Sequence, residues 1–523
     1  MKRDVRFFNT TGFCNPNDHY MLPPEDRLIG AQLHRYISDK LYWVLHAPRQ
    51  TGKTTFLMSW MNEINSGDEA VSCYVSVERC QGIIDINVTM PAICEAIMKY
   101  AEAYNVPVPT MPEQTPAGML HAILVNWAQL VSPKPLIVLF DEVDTLEGET
   151  MISFLRQLRD GFAMRGVGTF PVSIALVGMR DLKDYITASK EGVLPNPGSP
   201  FNIKADSALI GNFSQEDIIR LFAQHTEETG QQITADALNY VWEQSQGQPW
   251  IVNNIFQRAT MRVLDYNNTE TVTINHVKEA RQQMVIARET HLDSLAYRLA
   301  EPRIRHIIET IMTGDIDPQL GQLNPDVQLT MDLGLIRWDG SNGFIISNPV
   351  YEEILTRYFN SGYHANLPPP TAWKWQNDDG SLNMDNLLKE FQQFWRRHSE
   401  IWEAKADYTE AFPHLLLMAF LQRITNGEGD INREAAAGRG RLDLEVKYHG
   451  QVFILEIKII HYYDTPKTVQ AEGLEQICNY RQTVNPIAPA YLIIFDRRPK
   501  AKKTSWDKRI GWDVVEDITI VKC

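Results

Sequence analysis

No stretch of this chain approaches the roughly 18 consecutive apolar residues that a membrane-spanning helix needs, so no membrane association is expected. Cysteine is scarce, with six residues scattered at 14, 73, 80, 94, 478 and 523. That spacing suits neither a disulfide framework nor a zinc site and predicts a protein of the reducing cytoplasm. The opening segment MKRDVRFFNTTG carries basic residues without an apolar stretch behind them, so no secretory signal is expected. Low-complexity tracts are absent. Positive charge is also in deficit. A formal net charge of −15 excludes a general polyanion binder and confines any nucleic-acid contact to local basic patches. What is present is an ordinary globular composition, 44% hydrophobic and 22% charged over 523 residues. That length is too great for one hydrophobic core.

The first informative segment is Ala47-Pro48-Arg49-Gln50-Thr51-Gly52-Lys53-Thr54, followed by Thr55. It is expected between a buried strand, 41–47, and a helix, 53–65, whose Phe56, Leu57, Trp60, Met61 and Ile64 share one face. A loop entering a helix this way offers backbone N–H groups and the helix N-terminus to phosphate oxygens. Lys53 is placed to reach the β- and γ-phosphates of a nucleoside triphosphate, and the Thr54 hydroxyl to coordinate Mg²⁺. Ala47 stands where a glycine is usual, and it keeps that position small. A second apolar run, 135–140, ends in Asp141-Glu142-Val143-Asp144. A strand buried on both faces and ending in acids is the other half of such a site. Asp141 is expected to hold the Mg²⁺ shell and Glu142 to polarise the attacking water. The strand 71–77 falls between the two motifs in sequence and fits the NTPase subclass with an extra strand. A further apolar strand, 172–177, leads to Gly178-Met179-Arg180, making Arg180 a candidate γ-phosphate sensor; the alternative is a surface arginine. Arg156 and Arg159 are candidate arginine fingers for a neighbouring subunit, with a solvated helix face as the competing reading.

These segments, with FNTTGFCNPNDHYM at 8–21, SPFNI at 199–203 and GQPW at 247–250, resemble the AAA-like ATPases allied to the STAND class over roughly residues 5–360. The resemblance implies an ATP-binding core at 1–205 and a helical lid at 206–285. It places the turn Gly247-Gln248-Pro249 in the lid, where it senses nucleotide, and Tyr20 and Met21 beside the adenine. A homo-oligomer through this module is a further expectation. Ser214 to Asp217 reads as a capping box opening the lid. Residues 286–362 read as a winged helix with Ile304, Ile307, Ile308 and Ile311 on one face and a hairpin around 339–342. Its second helix, PDVQLTMDLG, has two acids and no Lys or Arg, favouring a regulatory role over DNA readout. Residues 363–398 are expected to form a linker and a helix.

The C-terminal part, 399–523, carries different chemistry. From Gly440 to Lys458 the chain alternates strictly across a turn at His449-Gly450. A two-residue turn pairs Tyr448 with Gln451, which sets Asp443 opposite Glu456 and Arg441 opposite Lys458. Leu442, Leu444, Val446, Tyr448, Phe453, Leu455, Ile457 and Ile459 then form a core face. Paired acids are unfavourable unless neutralised, for which a divalent cation is suited. Lys458 points to the same side and could orient a water for attack on a phosphodiester. The alternative is an amphipathic hairpin with a solvated charged face.

The Asp443, Glu456 and Lys458 pattern resembles the PD-(D/E)XK nuclease superfamily, in the branch fused to AAA-like ATPases. The resemblance implies an α/β restriction-endonuclease-like fold, Mg²⁺ or Mn²⁺ as metal, and DNA as partner. It adds Glu410 as a metal-side acid, Gln476 and Tyr480 as a helix motif beside the site, and 490–495 as the next core strand. A glycine-rich charged loop, NGEGDINREAAAGRGR, precedes Asp443. The basic run from Arg497 to Arg509 suggests a phosphate-backbone track. The expectation for the whole chain is an ATPase that regulates a DNA endonuclease, with prokaryotic defence as a setting. Two alternatives stand beside it. One is a nucleotide-dependent switch whose C-terminal part binds without cutting, and the other is an ATPase motor or loader acting with a separate nuclease.

Overall fold

The computed structural model describes residues 5–179, 204–287, 292, 295, 298–313, 321, 324–340, 343–364, 375–377, 379–403, 416–417, 420–421, 429–433, 436–437, 440–441, 444–460, 465–496 and 510–523. The chain divides into two compact units, 1–307 with 316–351 and 308–315 with 352–523. Among the described residues no helix is long and apolar enough to cross a membrane.

The first unit opens with β1 (Phe7–Phe8) and β2 (His19–Tyr20), a short parallel pair. There follow β3 (Leu28–Ile29), α1 (Leu33–Ser38), β4 (Tyr42–His46), α2 (Lys53–Ser66) and β5 (Val71–Ser76). Next come α3 (Ile86–Ala103), α4 (Pro116–Val131), β6 (Leu136–Asp141), α5 (Gly148–Phe162), β7 (Ser173–Gly178) and β8 (Lys204–Ile210). The sheet order is β3-β8-β4-β7-β6-β5, parallel except for the β3 edge. The period of two along the central strands splits their side chains between two cores. Val44, Val138 and Phe140 face α3, α4 and α5, while Trp43, Leu45, Ile137 and Leu139 face α1 and α2. The strand inserted between the phosphate-loop strand and the acidic strand is β7. The segment 71–77, taken from its place in the sequence as the extra strand, is β5 at the far edge.

The lid is α6 (Gln215–Thr229), α7 (Ala235–Ser245), α8 (Pro249–Arg258) and α9 (Ile274–Ile286). The expected capping box forms: Asp217 N–H donates to Ser214 Oγ at 3.1 Å and Ser214 N–H to Asp217 Oδ2 at 2.9 Å. The N-terminal segment docks on this lid. Phe8 packs on Phe222 and Phe256, Gln224 bonds both backbone groups of Met21, and the Tyr20 hydroxyl lies 3.1 Å from both Glu228 and His225. Beyond the lid come α10 (Pro302–Thr313) and α11 (Pro325–Asp332), then the hairpin β9 (Ile336–Trp338) and β10 (Phe344–Ile346), then α12 (Pro349–His364). Ile304, Ile307, Ile308 and Ile311 are all buried, as their spacing predicts.

The second unit holds α13 (Met384–Glu403), β11 (Gly429–Arg433), β12 (Ala436–Ala437), β13 (Gly440–Arg441), β14 (Leu444–Tyr448) and β15 (Gln451–Ile460). After them come α14 (Pro466–Val484), β16 (Ala490–Asp496), β17 (Gly511–Val515) and β18 (Ile518–Lys522). The mixed sheet runs β11-β14-β15-β16-β18-β17. Leu387, Leu388, Phe391 and Trp395 of α13 cover one face, against Leu444, Val446, Phe453, Leu455 and Ile457. Val469, Ile477 and Tyr480 of α14 cover the other, against Ile454, Leu492 and Ile494.

Two expectations for this unit change. The segment before Asp443, read as a loop from its glycines and charges, contributes the edge strand β11, antiparallel to β14. Arg441 is not opposite Lys458 but pairs with Ala436 in the separate β12–β13 ribbon.

Candidate nucleotide and nuclease-like sites

The phosphate loop leaves β4 at the C-terminal edge of the sheet, where parallel strands place ligands. Ala47 is fully buried and its N–H donates to Gly178 O at 3.3 Å. The loop turns through Gln50 and Gly52 with φ of 58° and 101°, the second a conformation suited to glycine. Thr51 Oγ1 closes the loop on Pro48 O at 2.9 Å, while Arg49 stays exposed. Lys53 Nζ curls back to Ala47 O at 2.8 Å and Pro48 O at 3.0 Å. Burial pulls its pKa down, opposed by Glu142, Asp141 and Asp144. Thr54 Oγ1 donates to Asp141 Oδ2 at 2.7 Å, so the two expected Mg²⁺ ligands of the ATPase unit do meet. Thr55 Oγ1 accepts from Cys14 N–H at 3.0 Å, fastening the N-terminal segment over the loop.

Two groups at this end escaped the sequence reading. Tyr74 donates to Asp141 Oδ2 at 3.1 Å from the adjoining strand. Asp144 is packed under Gly178, where a Cβ would lie 3.0 Å from its Oδ1, an oxygen with no hydrogen-bond partner among the described residues. Both acids of the Glu142–Asp144 pair are raised, chiefly by burial, and Glu142 is pushed up to about 7. Glu142 holds φ at 57°, which turns it out of the strand. A general base acts in its ionised form, so its useful fraction grows as pH rises through its pKa. ATP hydrolysis is therefore expected to rise with pH through about 7. Glu142→Gln should cut turnover ~10²- to 10⁴-fold and flatten that profile while ATP still binds. A profile unchanged by the substitution would assign the base elsewhere.

Beside the loop a cleft with about 630 Å³ of open space is lined by Asn9, Tyr20, Met21, Arg27, Pro249, Trp250 and Asn253, among others. Pro249 opens α8, and Trp250 Nε1 donates to Thr10 O at 3.0 Å. Gly247, at φ 74°, accepts from Phe213 N–H at 2.8 Å, and a Cβ on it would sit 1.9 Å from Phe213 O. Gly247→Ala is expected to lower unfolding free energy by at least ~1–3 kcal/mol, as denaturant titration would measure. The turn at Gly334, between α11 and β9, packs on Pro48 of the loop. A Cβ there would lie 2.6 Å from Pro48 Cγ. Arg337 of β9 donates to Gln246 of the lid at 3.3 Å. Arg156 and Arg159 are exposed on α5. Arg180 lies outside the described residues.

In the second unit the hairpin has the expected register, with Tyr448 paired to Gln451 and Leu444 to Leu455. Asp443 and Glu410 lie outside the described residues, as does the basic run 497–509. The two acids described on the charged face are not solvated: Glu456 is 2% exposed and Glu445 5%. Lys458 Nζ is 2.9 Å from Glu456 Oε1, and Lys447 Nζ is 2.6 Å from Glu445 Oε1. Buried carboxylates persist only when so compensated. Glu445 was missed, although the same alternation that places Glu456 sets it on this face. Tyr480 of α14 donates to Glu445 Oε2 at 3.4 Å, and burial with Glu445 raises its pKa to about 12. Gln476 is exposed on the same helix. Among the described residues no group of three or more metal-ligating side chains occurs.

A phosphate loop after one parallel strand and a buried acid at the end of another, with a single strand between the two, define a P-loop NTPase. More particularly, residues 35–186 match the family described as AAA domain, and residues 408–491 match the PD-(D/E)XK nuclease superfamily. The chain thus carries an AAA-type P-loop ATPase domain and, after it, a PD-(D/E)XK nuclease-superfamily domain. Similar solved structures include a Walker-type ATPase of Pyrococcus abyssi, 14% identical, with a TM-score of 0.47 over 66% of this chain and 99% of its own. RuvB of Thermotoga maritima, a Holliday junction branch migration motor, is 13% identical with a TM-score of 0.33, covering 61% of this chain and 90% of its own. Cdc6p of Pyrobaculum aerophilum is 14% identical with a TM-score of 0.34, covering 61% and 88%. No curated protein matches the chain.

Proposed function

We propose that the protein hydrolyses ATP in its first unit and uses the nucleotide state to control metal-dependent DNA cleavage by its second. The observation that carries the cleavage half is the buried Glu456 paired with the partly exposed Lys458, 2.9 Å apart on a central strand within the nuclease-superfamily match. Glu456, with Asp443 and Glu410, would hold Mg²⁺ or Mn²⁺, which neutralises charge on the scissile phosphate. Lys458 is placed to orient the attacking water, and Glu445, tied to Lys447 and Tyr480, fixes the strand beside it.

In the ATPase half, Thr54 and Asp141 would hold Mg²⁺, for which their converging oxygens are suited; it supplies charge neutralisation at the phosphates. Lys53 leaves its two carbonyls for the β- and γ-phosphates, Glu142 takes the proton of the attacking water, and Arg180 senses the γ-phosphate. The contact of Gly334 with Pro48 and the bond from Arg337 to Gln246 support transmission from loop and lid to the winged helix. We place the protein in the cytoplasm, acting on invading DNA, with Arg156 or Arg159 serving a neighbouring copy. The resemblance of the C-terminal motifs to nucleases fused to such ATPases supports that setting.

The test incubates purified full-length protein with plasmid and with single-stranded DNA, with and without Mg²⁺ or Mn²⁺ and ATP. Metal-dependent cleavage is expected. Its absence under every condition would sink the nuclease reading.

A further inference from the structure

Arg27 ends the turn Pro24–Arg27 just before β3, in a segment with no phosphate-binding pattern of its own. Its Nη1 donates to Thr51 O in the phosphate loop at 2.9 Å and to Gly211 O, at the entry to the lid, at 2.8 Å. The guanidinium lies over the Phe213 ring at 4.8 Å. Nη2 reaches the backbone of the loop, 2.9 Å from where a Cβ on Gly52 would be. Nε is buried and has no hydrogen-bond partner among the described residues.

The Nε–H and one Nη2–H of an arginine point the same way and form the fork that takes two oxygens of one anion. Here Nη1 is saturated by two carbonyls, while the fork remains in a residue that lines the cleft. A buried cationic N–H without an acceptor, as at Nε, is unfavourable. The carboxylate whose charge acts on it, Asp217, already accepts from Ser214 and Arg220.

We propose that Arg27 is a further nucleotide-binding residue, whose Nε/Nη2 fork takes two oxygens of the polyphosphate while Nη1 holds the lid entry at Gly211. It thereby links phosphate occupancy to lid position through one planar group. This rests on the nucleotide reading of the phosphate loop. Because the site is fixed to the loop backbone, its contribution belongs to the phosphates and not to the base.

The test uses the full chain and the Arg27→Lys variant, which keeps the charge but lacks the fork. Calorimetry measures ATP, ADP and adenosine. Affinity for ATP and ADP should fall ~10- to 100-fold, with adenosine unchanged. An equal loss for all three, or no loss for ATP, overturns the proposal, the first outcome marking a structural strap. A second measurement needs no variant. Phenylglyoxal modification of wild-type Arg27, followed by peptide mass spectrometry, should be blocked by ADP and not by adenosine; blocking by both or by neither contradicts the assignment. Lys53→Ala is run in parallel. Wild type that binds no ATP, or binding indifferent to Lys53→Ala, refutes the loop reading itself and the Arg27 proposal with it. Normal wild-type binding with an indifferent Arg27→Lys refutes only the latter.

Discussion

Glu456→Gln is expected to abolish metal-dependent DNA cleavage while leaving ATP hydrolysis unchanged. The substitution is nearly isosteric and removes one buried negative charge. Lys458, 2.9 Å from Glu456 Oε1 and itself partly exposed, then loses that counter-charge. The site loses a carboxylate needed for a divalent cation, so cleavage should fall by at least ~10²- to 10³-fold. Breaking the pair also destabilises the fold, by less than the ~3–5 kcal/mol of a fully buried pair because Lys458 keeps some solvent. A thermal melt must therefore accompany the cleavage assay, with Lys458→Met as a partner variant that removes the other charge. If Glu456→Gln folds and cuts like wild type, the hairpin face is structural and the active carboxylates lie elsewhere.

Lys53→Ala is the second large effect. In the present arrangement the ammonium is sequestered by Ala47 O and Pro48 O, within a buried, acid-rich pocket. Those carbonyls are weak partners compared with a triphosphate, so binding should draw Lys53 onto the β/γ oxygens. Removing it deletes a positive charge aimed at the transferring group. Hydrolysis should drop at least ~10²- to 10³-fold. Steady-state phosphate release measures this. Retained turnover would mean that another cation serves the γ-phosphate.

Much of this arrangement was legible because it follows from local periods. The two-residue turn at His449-Gly450 fixes the hairpin register arithmetically, and the observed pairs obey it. The capping box at Ser214 and the apolar strands that lead into the phosphate loop and into Asp141 are likewise written within a few residues. What was not legible depends on pairing between distant segments. Nothing in the sequence order says that β7, and not β5, separates β4 from β6. The glycine-rich stretch before Asp443 reads as a loop until β14 is available to pair with it. Phe8 and Tyr20 look like parts of an ATPase core, yet their partners are the lid residues Phe222, His225 and Phe256. Arg27 has no local signature at all: its meaning comes from carbonyls at Thr51 and Gly211. Glu445 is different, since the alternation that selected Glu456 also placed it, and only its degree of burial was hidden.

The control of cleavage by nucleotide is tested most directly by one rate. Plasmid cleavage by the full chain is followed with Mg²⁺, with and without ATP, for wild type and Lys53→Ala side by side. Wild-type cleavage should change when ATP is added, and that response should vanish in Lys53→Ala. Cleavage at the same rate in both proteins, indifferent to ATP, would contradict the account.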